Sequence, residues 1–179
     1  KSRSRGLGDV YKRQYLTLTN NTARTSETNA ANPRLNNKFG HVIRWDEGET
    51  ATDFTWDIFV FGSPANGDAD TNRSGLTDMN QFASPDGLAF DARGILWIQT
   101  DNGADEVTSY TNDQMLAVVP SKLTDDNGNS AVIGEGNQAQ LKRFFVGPNG
   151  CEVTGFTISP DYKSLSVSYT HLRAHETST

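Results

Sequence analysis

Apolar and polar positions alternate most regularly in residues 84–103, SPDGLAFDARGILWIQTDNG. Leu88 and Phe90 alternate with Gly87, Ala89 and Asp91, a period of two that suits a half-buried strand. Asp91-Ala92-Arg93-Gly94 follows as a polar turn closed by a glycine able to take positive φ. Ile95-Leu96-Trp97-Ile98 is a β-rich run, and Asp101-Asn102-Gly103 is a second turn. The segment predicts one hairpin with carboxylates where its strands begin and end.

A second copy lies downstream in EVTGFTISPDYKSL, where Gly155-Phe156-Thr157-Ile158 alternates and Ser159-Pro160-Asp161-Tyr162 turns. Laying Gly155 on Gly87 puts Phe156 on Leu88 and Ile158 on Phe90, an offset of 68 residues. Hairpins repeating in this way, each needing neighbours to bury its faces, mark a propeller or solenoid. The offset exceeds the usual ~40–50 residues per propeller blade, so long loops must be inserted. Generic hairpins of a β-sandwich are the competing reading. Residues 15–19, 41–45 and 54–61 read as further strands, the last two as an antiparallel hairpin around the acidic turn 46–49. Residues 115–119 and 141–146 read as outer strands of the same blade as 84–103. Residues 20–38, 62–77 and 123–140 are polar loops. The expected class is all-β, a fragment of a β-propeller holding about two to three blades.

The ends change the accounting. Residues 4–14 resemble the translation of a sequencing-library transposase adapter, and residues 167–177 that of its reverse complement. Residues 1–14 and 167–179 are therefore expected to be adapter-derived and unpacked, leaving 15–166 as a partial propeller domain cut from a larger protein. His171-x-x-x-His175 has the spacing of two metal ligands on a helix, but it falls within the second of these segments. The chain carries 16 Lys and Arg against 22 Asp and Glu, a net charge of −6. Six of those bases and two of those acids lie in the end segments, so the interior carries about −10. An acidic surface of this kind is poorly suited to neutralising nucleic-acid phosphates. No apolar run approaches the ~20 residues of a membrane-spanning helix. The single Cys151 excludes an internal disulfide.

Candidate chemistry is sparse. Asp68-Ala69-Asp70-Thr71-Asn72 opens like a calcium loop, but Arg73 replaces the glycine at position six and Met79 the glutamate at position twelve. The EF-hand reading fails, and a solvated acidic loop takes its place. The asparagines of 20–38 read as turn formers. Lys142 and Arg143 are either phosphate-facing or exposed strand residues. The turn 147–151 delivers Glu152 to the entrance of a strand, and Cys151 reads as a packing residue.

Four stretches, YLTLTNNTAR from Tyr15, ANPRLNNKFGHVIRW from Ala31, FASPDGLAFDARGILWIQTDNG from Phe82 and GPNGCEVTGFTISPDYKSL from Gly147, together resemble the PhoX family of secreted bacterial alkaline phosphatases. The resemblance implies a β-propeller whose central channel holds iron and calcium ions and hydrolyses phosphate monoesters for phosphate scavenging. Carried over by position, Glu152 matches a metal-ligand carboxylate. Asp86 lies near another, where a glutamate is common, and Asp101 is a third candidate. Hard cations favour such carboxylate oxygens. The resemblance further implies a periplasmic or secreted protein, monomeric at full length, with a phosphate monoester as its partner. A calcium-dependent propeller lactonase and a non-enzymatic extracellular binding module are the alternatives. If residues 84–100 and 151–165 open neighbouring blades, Asp86 and Glu152 should approach each other on one face. The chain as written is expected to lack phosphatase activity, having too few strands and ligands.

Overall fold

The computed structural model describes residues 13–50, 52–102 and 105–170. Among the described residues, nine strands form three antiparallel sheets. The first joins β1 (Arg13–Leu18), β2 (His41–Glu47) and β3 (Phe54–Phe61) in that order. The second runs β4 (Pro85–Phe90), β5 (Leu96–Thr100), β6 (Gln114–Val118) and β7 (Lys142–Val146). The third pairs β8 (Val153–Ile158) with β9 (Leu165–Tyr169). The helical pieces are α1 (Asp105–Thr108) and two 3-10 turns, Pro120–Lys122 and Gln138–Gln140. The chain is all-β, a fragment of a β-propeller, and the strands fall where the alternation predicts them.

Alternation along β5 explains how the sheets stack. Leu96 and Ile98 point to one side, into a core shared with Tyr15, Val42, Phe59 and Val60 of the first sheet. Trp97 points to the other, where Met115 and Val153 are buried with it and Phe156, Ile158, Leu165 and Val167 pack against them. All five residues of β5 are buried. The middle sheet is thus covered on both faces, as a blade between two blades must be. Across the first core, the Tyr15 ring meets Phe59 edge-on at 5.1 Å; across the second, Trp97 lies 5.4 Å from Phe156.

The 68-residue offset holds in three dimensions. β4 and β8 start and end 68 positions apart. Both hairpin turns carry a left-handed residue at the matching place, Gly94 (φ 77°) and Tyr162 (φ 58°). The open ends are closed by a similar backbone bond, Asp101 N to Ser84 O and Thr170 N to Glu152 O, each 2.9 Å, the donors lying 69 apart because the second turn is one residue longer. Both hairpins also slip register near their start, between Pro85 and Leu88 and between Val153 and Gly155.

A few residues of the end segments pair with the sheets. Arg13 and Gln14 continue β1, and Val167–Tyr169 continue β9, so pairing crosses both expected domain boundaries. The Arg13 guanidinium also reaches Asp46 and Ser130, and Val167 packs on the second core. The expectation that the end segments stay unpacked therefore fails for these residues. The reason is that ladder bonds use the main chain, which nearly any extended sequence supplies. His171 and His175 lie outside the described residues. The polar loop 20–38 is anchored through its side chains. Buried Arg34 donates to the carbonyls of Gly62, Thr71 and Gly40 at 2.6–2.8 Å.

His41, fully buried, belongs to the same anchor. Asn37 Oδ1 accepts from the Phe39 and Gly40 amides, which turns the Asn37 NH2 group toward His41 Nδ1 at 3.2 Å. Nδ1 must then accept, and Nε2–H donates to Ala31 O at 2.8 Å. A proton on Nδ1 would face another donor, and burial, the largest effect, holds the imidazole pKa below its ordinary 6.5. The unfolded chain therefore binds this proton first, so the contribution of His41 to stability is present above about pH 6.5 and falls as pH drops below it. Imidazole nitrogen shifts of the neutral ring should report the Nε2–H tautomer; an Nδ1–H tautomer would contradict this assignment.

Candidate metal centre

Three carboxylates converge where the second and third sheets meet. Asp86 sits in the irregular step at the start of β4, where a bulge re-aims side chains, and its carbonyl accepts from Thr17 Oγ1 at 2.7 Å. Asp101 follows β5 and Glu152 precedes β8. One oxygen from each lies within 4.8 Å of the others. Asp86 and Asp101 are exposed, while Glu152 is half-buried. Asp86 and Glu152 thus approach from neighbouring sheets on one side, and Asp101 joins them. They are not repeat equivalents: position 84 matches Glu152 under the 68-residue offset, and there Ser84 takes a left-handed φ of 49°.

Among the described residues, no hydrogen-bond donor or basic side chain pairs with any of these three carboxylate groups. Burial, followed by the charges of Asp101 and Asp86, holds the Glu152 carboxyl above its ordinary range. Such a group of oxygen donors, without an internal cation, has the chemistry a hard metal ion takes. The side-chain carboxamide of Asn102, the residue after Asp101, has its oxygen and nitrogen both buried and unpartnered among the described residues, while its backbone N–H is used.

Asp113 was missed by sequence reasoning. It precedes β6 and is only 4% exposed. Its Oδ1 accepts from Thr100 Oγ1 at 2.7 Å and from the Asn102 amide at 2.8 Å, on either side of Asp101. Burial, the largest effect, pushes its pKa up to about 6 against those two hydrogen bonds, with the charges of Asp101 and Glu152 adding to the rise. Its signal in the sequence is slight: an Asn-Asp pair before a strand reads as an ordinary turn.

The remaining candidates fall away from this cluster. Arg143 is engaged by Gln114 Oε1 and Gln81 O, and Lys142 is exposed on β7. Asp68 caps its own loop by accepting from the Thr71 amide, and Asp70 pairs with Arg73. Cys151 is buried as a free thiol, in line with a packing role.

The family described as Alkaline phosphatase PhoX matches residues 7–172. The chain belongs to the PhoX family. Among solved structures it is similar to Pseudomonas fluorescens PhoX in complex with vanadate, a transition state analogue, at 33% identity and a TM-score of 0.69. The match covers 92% of this chain and 28% of that one, so the chain spans under a third of the length of this PhoX relative. No curated protein sequence matches the chain.

The turn that delivers Glu152 in this PhoX chain is tightly built. A Cβ at Gly147 would fall 2.3 Å from Cys151 Sγ and 3.3 Å from the Asp113 carbonyl. Gly147→Ala should therefore destabilise by about 1–3 kcal/mol through overpacking. Cys151→Ala in the same chain should return much of that loss, as read from urea midpoints. A double variant no more stable than Gly147→Ala would show that the sulfur is not the obstacle.

Proposed function

We propose that this chain forms part of a metal-dependent phosphomonoesterase, with Asp86, Asp101 and Glu152 supplying carboxylate ligands to hard cations, iron and calcium in keeping with its family. The observation that carries the reading is the convergence of three unpaired carboxylates within 4.8 Å from two adjacent sheets. The vanadate complex of the PhoX relative adds support for chemistry at a phosphoryl group. Family membership favours this reading over a lactonase or a non-catalytic binding module.

When bound, the cations would supply charge neutralisation for a phosphoryl group and acidify an oxygen nucleophile. The residues of this chain contribute placement. The bulge at the start of β4 presents Asp86, the end of β5 presents Asp101, and the turn from Gly147 presents Glu152. Glu152, with its pKa raised, would give up its proton on ligation, so affinity should climb with pH through the titration of this carboxyl. The substrate is a phosphate monoester, and the acidic interior is ill suited to a nucleic-acid partner. No helix among the described residues is long and apolar enough to cross a membrane. The reading extends to a periplasmic or secreted setting and to a monomer at full length, with family membership as support.

Terbium(III), a luminescent stand-in for a hard cation, provides the direct test on this chain. Glu152→Gln and Asp101→Asn should each weaken its binding by about tenfold or more. In a protein completed to the length of the PhoX relative, Glu152→Gln should also abolish hydrolysis of a chromogenic phosphate monoester. Wild-type affinity in both single variants, or full turnover in the completed Glu152→Gln protein, would overturn the reading.

A further inference from the structure

We propose that Asp113 is a positioning residue for the carboxylate group, clamping the segment that carries Asp101 and, through its main chain, the turn that carries Glu152. The inference rests on the metal-site reading above and goes beyond its three ligands. Asp113 Oδ1 takes hydrogen bonds from Thr100 Oγ1 and the Asn102 amide, the residues flanking Asp101. Thr100 Oγ1 in turn accepts from the Gln114 amide at 2.9 Å, which locks the clamp to the first residue of β6. On its other side, the Asp113 carbonyl accepts from the Gly147 amide at 2.7 Å, and Asn112 Nδ2 donates to the Gly147 carbonyl at 3.1 Å. Residues 112–113 therefore hold both routes into the site. One route ends at Asp101 in the second sheet; the other ends at Glu152, ahead of the third.

The Asp113 carboxyl makes the first set of bonds and its main-chain carbonyl takes part in the second, at 4% exposure and outside the cluster formed by Asp86, Asp101 and Glu152. Both bonds on Oδ1 come from donors, so an amide oxygen can accept them equally well. Residues that orient ligands in this way typically change metal affinity by about 10- to 100-fold when removed.

The test uses the full chain and Tb3+ alone. Asp113→Ala should weaken Tb3+ binding by about tenfold or more, and Asp113→Asn should restore most of it. Because Asp113 acts through Asp101, the double variant Asp101→Asn/Asp113→Ala should bind no more weakly than Asp101→Asn. Fully additive losses, unchanged affinity in Asp113→Ala, or an Asp113→Asn as weak as the alanine variant would overturn the proposal. Unchanged affinity in Asp101→Asn and Glu152→Gln would instead overturn the metal reading. A metal-free measurement separates the two: hydrogen exchange at the Asn102 and Gly147 amides. Asp113→Ala should speed exchange at Asn102 while the β5 and β6 amides stay protected, and unchanged Asn102 protection would sink the clamp whatever the metal does. If the alanine variant fails to fold, Thr100→Val removes one of the two donors and should lower Tb3+ affinity in the same non-additive way; full affinity there would also overturn the proposal.

Discussion

Burial of β5 on both faces is the constraint from which the rest of the structure follows. A strand with water on neither side must satisfy its backbone through neighbours on both edges, and β4 and β6 supply them. Its side chains must find apolar cover on both sides, which the first and third sheets provide. At its end the strand turns polar, and there the cover gives way to hydrogen bonds. Thr100, fully buried, donates to Asp113 and accepts from Gln114. The candidate site begins one residue later. A rigid, doubly covered strand is the kind of support from which a ligand can be held to within fractions of an ångström.

The same logic separates the two hairpins of the repeat. They share strand spacing, left-handed turn positions and the bond across the open end. They differ in what those positions carry: Ser84 stands where the later copy has Glu152, and the donor that closes the open end is Asp101 in one copy and Thr170, 69 residues on, in the other. Both carboxylates still reach one place, because adjacent sheets bring the start of β8 beside the end of β5. The repeat supplies the scaffold. The asymmetry between its copies supplies the site.

Much of this was legible in the sequence because alternation is a local property. Leu88, Phe90, Leu96 and Trp97 announce their faces, and the copy at Phe156 and Ile158 announces the neighbouring sheet. Asp86, Asp101 and Glu152 were visible as carboxylates at strand ends, and a repeat makes strand ends comparable in space. Asp113 was not visible. Its role depends on burial and on two donors 11 and 13 residues away, and an Asn-Asp pair before a strand has the same appearance when solvated. His41 and Arg34 escaped for a related reason: a loop rich in asparagine reads as solvated until its hydrogen bonds show which side chains are enclosed. The strand ends at Arg13 and Tyr169 run past the expected boundaries because ladder bonds use the main chain, which nearly any extended sequence supplies.

The energetic standing of the carboxylate group follows from its exposure. Two like charges about 4.8 Å apart repel by only about 1 kcal/mol in water-like surroundings, and Asp86 and Asp101 are exposed. The fold can hold the three together without a cation, so their convergence places little strain on the chain. What sets the group apart is its support. The bulge of β4, the clamp of Asp113 on both flanks of Asp101, and the close contact of Gly147 with Cys151 each fix one approach to the same point. Three devices aimed at one cluster of oxygens, two of them joined through Asp113, go beyond what a solvated acidic surface requires, and pre-positioned oxygen donors are what a hard cation selects.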